Sequence, residues 1–264
     1  MKLTIALAQS LQRSAEEALP LMDHLARRAK AQGAGLLVMP EMTAVTRADT
    51  HPAEALDGPT AQRAADIARK NGIWILHTQD EASDDPSRPY NGALLIDAAG
   101  QLRAAYRKTH LYDAHNVRES DIYTPGDTLA KSVETPWGKL GIGICYELRF
   151  PEVARQAALA GASLMVFPAA WVDGPGKLDH WRTLLRARAI ENELFVVGCC
   201  RPQAPHVSPL TWVGHSMVVD PLGNVLAEAG DAEELLLATV DTEDVTRARD
   251  AMPVFRHRRP ELYM

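Results

Sequence analysis

Cysteine is scarce in this chain. Its 264 residues hold three, Cys145, Cys199 and Cys200. Two are adjacent and no CxxC exists, so neither a disulfide framework nor a thiolate metal site can be read from them. Such usage fits a reducing, cytoplasmic setting. HExxH is absent as well, and no Cys/His cluster has ligand spacing. Basic residues are not in excess: 28 Lys and Arg against 34 Asp and Glu give a net charge of −6. That balance argues against a protein built to bind nucleic acid, which needs a basic face. Long apolar runs are missing too. The longest mostly apolar stretch, 157–172, is rich in alanine and interrupted by Gly161 and Pro168. It is too short and too broken to cross a bilayer. The opening "MKLTIALAQS" alternates Leu3, Ile5 and Leu7 with Thr4, Ala6 and Ala8, which reads as a strand and not as a signal peptide. No low-complexity linker or shift in composition appears, so residues 1–264 read as one domain.

What is present is a regular alternation of strands and helices. A strand is expected at 2–8 and a helix at 15–32, with Ser14 as N-cap and Gly33 as stop. A short apolar run, "GLLVMPE" (35–41), ends at a carboxylate. A helix at 60–72 closes on Asn71-Gly72, and a strand follows at 73–79. Residues 91–110 read as a hairpin turning at Ala99-Gly100, and 139–145 as a strand. Next come a helix (151–161, with Pro151 in its first turn), a buried strand (162–170), an amphipathic helix (177–192) and another buried strand (194–200). A hairpin at 211–229, a strand at 234–241, a further helix and a tail complete the chain. The order is βαβαβ with inserted hairpins. That is an α/β protein, and mixing hairpins with crossovers implies two sheets instead of one parallel sheet.

Three residues fall just past strand ends: Glu41 after "LLVMP", Lys108 after "LRAAYR" and Cys145 after "KLGIGI". Ligand sites of α/β layers lie outside the carboxyl ends of strands. Together the three supply a base, a cation and a nucleophile. A carboxylate can take the thiol proton as attack begins, and an ammonium can stabilise negative charge on sulfur and then on an oxyanion. A helix starting just after Cys145 adds N–H donors, and the N–H of Tyr146 is the natural second oxyanion donor. Taken singly, each residue has an ordinary reading. Glu41 can be a helix N-terminal charge, Lys108 a snorkelling surface residue and Cys145 a buried structural thiol.

In company they do not. "VMPEM", "YRKTHLYD" and "GIGICYELRFPE" resemble, in order and spacing, the three signatures of the nitrilase superfamily, the carbon–nitrogen hydrolases. "CYELRFPE", "PAAWVDGPGKLDHWRTLLRARAIEN" and "MPVFRHRR" are similar to its amidase branch, which contains omega-amidases and deaminated glutathione amidases. The resemblance implies a four-layer αββα sandwich of two mixed sheets flanked by helices. It implies Cys145 as nucleophile, Glu41 as general base and Lys108 as oxyanion stabiliser, with no cofactor. It also implies Glu119 as a second glutamate holding Lys108 and helping to place water or the leaving group. Glu147 departs from the branch, which usually has aspartate two residues after the nucleophile. The expected reaction is hydrolysis of a small linear amide through a thioester. Deaminated glutathione and the omega-amide of a keto acid are the family-derived substrates. A general aliphatic amidase or an N-carbamoyl amine hydrolase would use the same groups, and a catalytically silent binding subunit is the reading from another class.

Other residues carry weaker expectations. Arg149 either pairs with Glu152 or grips a substrate carboxylate in bidentate fashion. Trp171, just past a strand, is expected to line the pocket. Cys199 and Cys200 are expected in the core. His180 lies within a helix and reads as structural and not as a Cys–His partner. His110 and His115 flank the Lys108 loop and read as neighbours of the site. The resemblance implies that the tail, about 252–264, packs across a homodimer or higher homo-oligomer.

Overall fold

Alternation along the first strand decides which way each side chain faces. In the computed structural model, which describes residues 1–11, 15–43, 53–115, 117–204 and 211–263, β1 (Lys2–Gln9) turns Leu3, Ile5 and Leu7 into one core and Ala6 and Ala8 into another. The bulky side meets a second sheet, and the small side lets helices approach closely. Along the chain follow α1 (Ala15–Ala31), β2 (Leu36–Val38), α2 (Pro59–Asn71), β3 (Trp74–Glu81), β4 (Tyr90–Ile96) and β5 (Leu102–Arg107). A small ribbon, β6 (Asp113–Ala114) with β7 (Val117–Arg118), precedes β8 (Val133–Thr135) and β9 (Gly138–Ile142). Then come α3 (Pro151–Leu159), β10 (Ala162–Ala169), α4 (Lys177–Asn192) and β11 (Phe195–Cys200). The chain closes with β12 (Met217–Val219), β13 (Val225–Glu228), β14 (Glu234–Asp241), α5 (Glu243–Ala251) and α6 (Val254–His257). The expected N-cap Ser14 lies outside the described residues.

Among the described residues the long strands form two six-stranded sheets, ordered β14-β1-β2-β3-β4-β5 and β13-β12-β11-β10-β9-β8. Each has a parallel centre and antiparallel flanks. Their inner faces share one apolar core, in which Ile5, Leu7, Val38 and Leu76 of the first sheet join Ile142, Val166 and Val197 of the second. Helices α1 and α2 cover the outside of the first sheet, and α3 and α4 cover the second. This is the αββα sandwich of two mixed sheets.

Boundaries near the site differ from the sequence reading. The strand expected to reach Cys145 stops at Ile142, and the strand expected to reach Lys108 stops at Arg107. Lys108 therefore sits on a loop, and Cys145 opens a short 3-10 helix, Cys145–Arg149, that leads to α3. β8 is not expected from the sequence, because three residues, none of them buried, are too short a run to show a pattern. Gly143 explains how closely the loop before Cys145 packs: a Cβ there would lie 2.6 Å from the Phe167 ring. The buried face of α4 is only partly apolar. Trp181, Leu185 and Ala189 share it with Lys177, Arg188 and Asn192. Arg188 Nε donates to the Leu148 carbonyl at 3.0 Å, so one of these polar residues braces the turn that follows Cys145.

Candidate active site

Strand direction brings the three residues to one edge. β1, β2 and β3 are parallel, β4 is antiparallel to β3, and β5 is antiparallel to β4. β5 thus runs with β2, so Glu41 and Lys108 leave the first sheet at the same end. Cys145 follows β9 in the facing sheet. The two sheets are joined here by the Ala170 N–H, just past β10, which donates to Glu41 Oε2 at 2.8 Å.

The contacts are direct. Lys108 Nζ donates to Glu41 Oε1 at 2.8 Å and to both oxygens of Glu119, each at 2.8 Å. The buried Cys145 thiol and the Glu41 carboxylate are close enough that each shifts the other's proton affinity. Glu41, Lys108 and Cys145 are 3%, 2% and 8% exposed, so water screens these charges poorly. Asn91 is not singled out by the sequence, yet its Nδ2 donates to Glu41 Oε1 at 2.9 Å and lies 3.4 Å from Glu119 Oε1. Its carbonyl also accepts the Lys108 N–H at 2.9 Å. The hairpin register would have found it, since Gly92 pairs with Arg107 and the next step across is Asn91 to Lys108. The Tyr112 N–H fixes the far oxygen of Glu119, Oε2, at 2.6 Å.

Electrostatics set the resting protonation. Burial works to lift the Glu41 carboxyl, but Lys108, the Cys145 thiol and the Ala170 N–H outweigh it and hold the group below its ordinary range. Burial works against the Lys108 ammonium, and Glu41 and Glu119 more than offset it, so the lysine stays charged. Burial pushes the Cys145 thiol well above its ordinary value; Glu41 adds to that, and Lys108 only partly opposes it. The site rests as thiol beside carboxylate, and the proton leaves sulfur only as attack begins.

Cys199 and Cys200 are fully buried, and their thiols are likewise pushed up, chiefly by burial. A raised folded-state pKa gives stability that is complete below the unfolded value, near 9 for these thiols, and is lost as pH rises from there toward the folded value. Each ionising group then contributes up to about 1.4 kcal/mol per pH unit. Urea denaturation should therefore show stability falling by about 2–4 kcal/mol between pH 9 and pH 10. Replacing Cys199 or Cys200 by alanine should shallow that slope. An unchanged slope in both variants would count against it.

A left-handed backbone presents the thiol. Cys145 has φ +46°, a conformation that costs a non-glycine residue of order 1–2 kcal/mol. A single buried carboxylate holds it there. Glu147 Oε2 accepts the Ile144 N–H at 2.8 Å. Its Oε1 accepts the Tyr106 hydroxyl at 2.6 Å, the Thr109 hydroxyl at 2.7 Å and the Thr109 N–H at 3.0 Å. Glu147 therefore ties the cysteine turn to the loop that carries Lys108. Burial works to raise its pKa, and the His110, Tyr106, Thr109 and Ile144 donors outweigh that and keep it ionised. Glu147→Gln sets an amide hydrogen against those donors. It should cost about 2–4 kcal/mol of stability and roughly 100-fold in kcat. Glu147→Asp keeps the charge and should stay within about tenfold of wild type. Thermal melts with steady-state kinetics check both, and a wild-type kcat in Glu147→Gln would sink the assignment.

Of the remaining sequence candidates, Tyr146, Arg149, Trp171 and His110 make contacts next to this core. Tyr146 packs edge-on against Tyr112 (5.1 Å between centroids) and Phe150 (5.2 Å). Arg149 does not pair with Glu152. Its guanidinium carbon lies 4.8 Å from the Trp171 ring centroid, and one nitrogen is 3.4 Å from His180 Nδ1. Trp171 is buried, 3% exposed, tilted against Trp181, with Nε1 donating to the Lys177 carbonyl at 3.1 Å. His110 stacks on Phe150 at 4.0 Å, and His115 is exposed. His180 is exposed at the start of α4 and contacts Arg149.

Comparison with known proteins adds the family context. The family model described as carbon–nitrogen hydrolase matches residues 4–250. Deaminated glutathione amidase of Mus musculus is 39% identical over 221 residues, covering 80% of this chain and 67% of that protein. The omega-amidase of the same species is 32% identical over 249 residues, covering 90% of this chain and 88% of the relative. Among solved structures, a variant amidase from Nesterenkonia sp. AN1 superposes with a TM-score of 0.84 at 29% identity, covering 99% of this chain and 95% of that one. It carries the acetamide moiety of fluoroacetamide covalently at its active-site cysteine.

Proposed function

Because the chain belongs to the carbon–nitrogen hydrolase family, it is a hydrolase of carbon–nitrogen bonds, and we propose that Cys145, Glu41 and Lys108 are its catalytic triad, acting on a small linear amide. The observation that carries this reading is the Glu41 carboxylate, which accepts from the Lys108 ammonium at 2.8 Å and is electrostatically coupled to the buried Cys145 thiol. As Cys145 Sγ attacks the amide carbon, its proton passes to Glu41. The oxyanion is met by Lys108 Nζ and the Tyr146 N–H. Collapse of the tetrahedral intermediate breaks the C–N bond, and Glu41 protonates the leaving ammonia or amine. Water then gives a proton to Glu41 and attacks the thioester, releasing a carboxylic acid and restoring the thiol. Glu119 and Asn91 keep Lys108 and Glu41 in register throughout.

The substrate we favour bears a carboxylate, as in deaminated glutathione or the omega-amide of a keto acid. Arg149 supports this, since it has no carboxylate partner among the described residues. The names of the mouse relatives point the same way. The test is amine or ammonia release from four substrates: deaminated glutathione, alpha-ketoglutaramate, a plain aliphatic amide and an N-carbamoyl amine. Turnover of the first two supports the reading. Turnover of only the last two keeps the chemistry and overturns the substrate.

We read the 264 residues as one hydrolase domain in a cytoplasmic setting, and its partner as a second copy of the chain. Met252, Leu262 and Tyr263 expose 67%, 63% and 65% of their surface, apolar area that a second copy would cover. Sedimentation should give about twice 28.9 kDa, and truncation after Ala251 should weaken the dimer. A monomeric full-length chain would remove this reading.

A further inference from the structure

Lys177 is a buried cation that the triad chemistry does not use. The residue is 9% exposed, yet no carboxylate pairs with it among the described residues. Its ammonium donates to the Tyr112 hydroxyl at 3.0 Å and lies 5.0 Å from the Tyr112 ring centroid and 5.9 Å from that of Trp171. Arg149 lies over the same tryptophan, 4.8 Å from its centroid, and also lacks a carboxylate among the described residues. Aromatic faces and a phenol compensate a buried ammonium only in part, and an anion beside it would complete the compensation.

The position of this pair relative to the reacting groups matters. Tyr112 holds Glu119 through its N–H and packs on Tyr146, the neighbour of Cys145. Trp171 follows Ala170, whose N–H holds Glu41. Lys177 and Arg149 therefore stand about one side chain away from the reacting cluster. That cluster joins two carboxylates to one ammonium, so it repels an anion, while the outer pair attracts one. A substrate with a carboxylate at one end and an amide at the other would be turned amide-first toward Cys145. The first turn of α4, which begins at Lys177 after Gly176 with no side-chain cap, adds to the positive potential.

Resting on the amidase reading above, we propose that Lys177 is a second carboxylate-binding residue, acting with Arg149 to select linear amides that end in a carboxylate. The test compares wild type with Lys177→Met and Lys177→Arg on glutaramate and on its methyl ester. Methionine keeps the packing between Tyr112 and Trp171 and removes the charge. For glutaramate, Lys177→Met should raise KM about 30-fold with kcat within about threefold. The ester's kcat/KM should move less than about threefold, and Lys177→Arg should recover most of the loss. Equal losses on acid and ester would make Lys177 a structural strut and overturn the proposal, as would no loss on either. If wild type cleaves neither amide, the proposed function fails, and Lys177 is judged by calorimetry with glutarate. Binding at least about tenfold weaker in Lys177→Met supports it. Equal binding, or none to wild type, overturns it.

Discussion

Cys145→Ala should leave a folded protein whose amide hydrolysis is lower by at least about 10,000-fold. On the proposed mechanism the substitution removes the atom that forms the thioester and little else. Glu41 keeps Lys108, Asn91 and the Ala170 N–H as partners, so the buried charges stay satisfied. Thermal stability should therefore change by no more than about 1 kcal/mol. Substrate binding should persist, because Arg149 and Lys177 are untouched. Rapid quench and mass spectrometry should find an acyl adduct on the wild-type chain and none on the variant. Cys199 and Cys200 cannot substitute, since both are 0% exposed in the core. Retention of even one hundredth of wild-type turnover would rule out Cys145 as the nucleophile.

Lys108→Met should be worse, because it damages both chemistry and fold. Loss of the oxyanion donor alone costs about 100- to 1000-fold. Loss of the ammonium also leaves Glu41 and Glu119 together, bridged by Asn91, with no cation between them. Breaking a buried ion pair typically costs about 3–5 kcal/mol. One carboxyl should then keep its proton, which removes the base as well, for a total loss of at least about 10,000-fold in kcat. The pH dependence of stability distinguishes this from simple misfolding. In wild type the lowered pKa of Glu41 gives stability that is present above the unfolded carboxyl value and lost as pH falls through the folded one. In Lys108→Met a carboxyl pKa is raised, so stability should increase as pH falls from 7 to 5. Urea midpoints across that range are the measurement. A variant whose stability stays flat or falls between pH 7 and pH 5 would show that Lys108 does not hold these carboxylates apart.

Much of this was legible along the chain. Period-two alternation in "KLTIALAQ" and the apolar run "ASLMVFPA" gave their strands, because burial on one or both faces fixes residue type locally. Motifs at strand ends gave Glu41, Lys108 and Cys145 as candidates, because loops there must be short and chemically specific, and the family resemblance alone gave Glu119. Asn91, Glu147 and Lys177 do not read as working residues. Asn91 opens an apolar strand, Glu147 stands out only as a departure from aspartate, and Lys177 looks like the polar start of an amphipathic helix. What each does depends on a partner many positions away: Glu41 for Asn91, Tyr106 and Thr109 for Glu147, Tyr112 and Trp171 for Lys177.

The sequence by itself determined most of the elements, their order and the candidates for the reacting groups. Those follow from local periodicity and from the few side chains able to act as nucleophile, base or cation. Only the tertiary structure decided that these groups meet. β5 has to run with β2 before Lys108 can reach Glu41. The second sheet has to face the first before Cys145 and the Ala170 N–H can close on the same carboxylate. The protonation of the site was likewise decided in three dimensions. A thiol, a carboxylate and an ammonium have ordinary pKa values along a chain, and only burial together in a dry contact makes each one's charge depend on the other two.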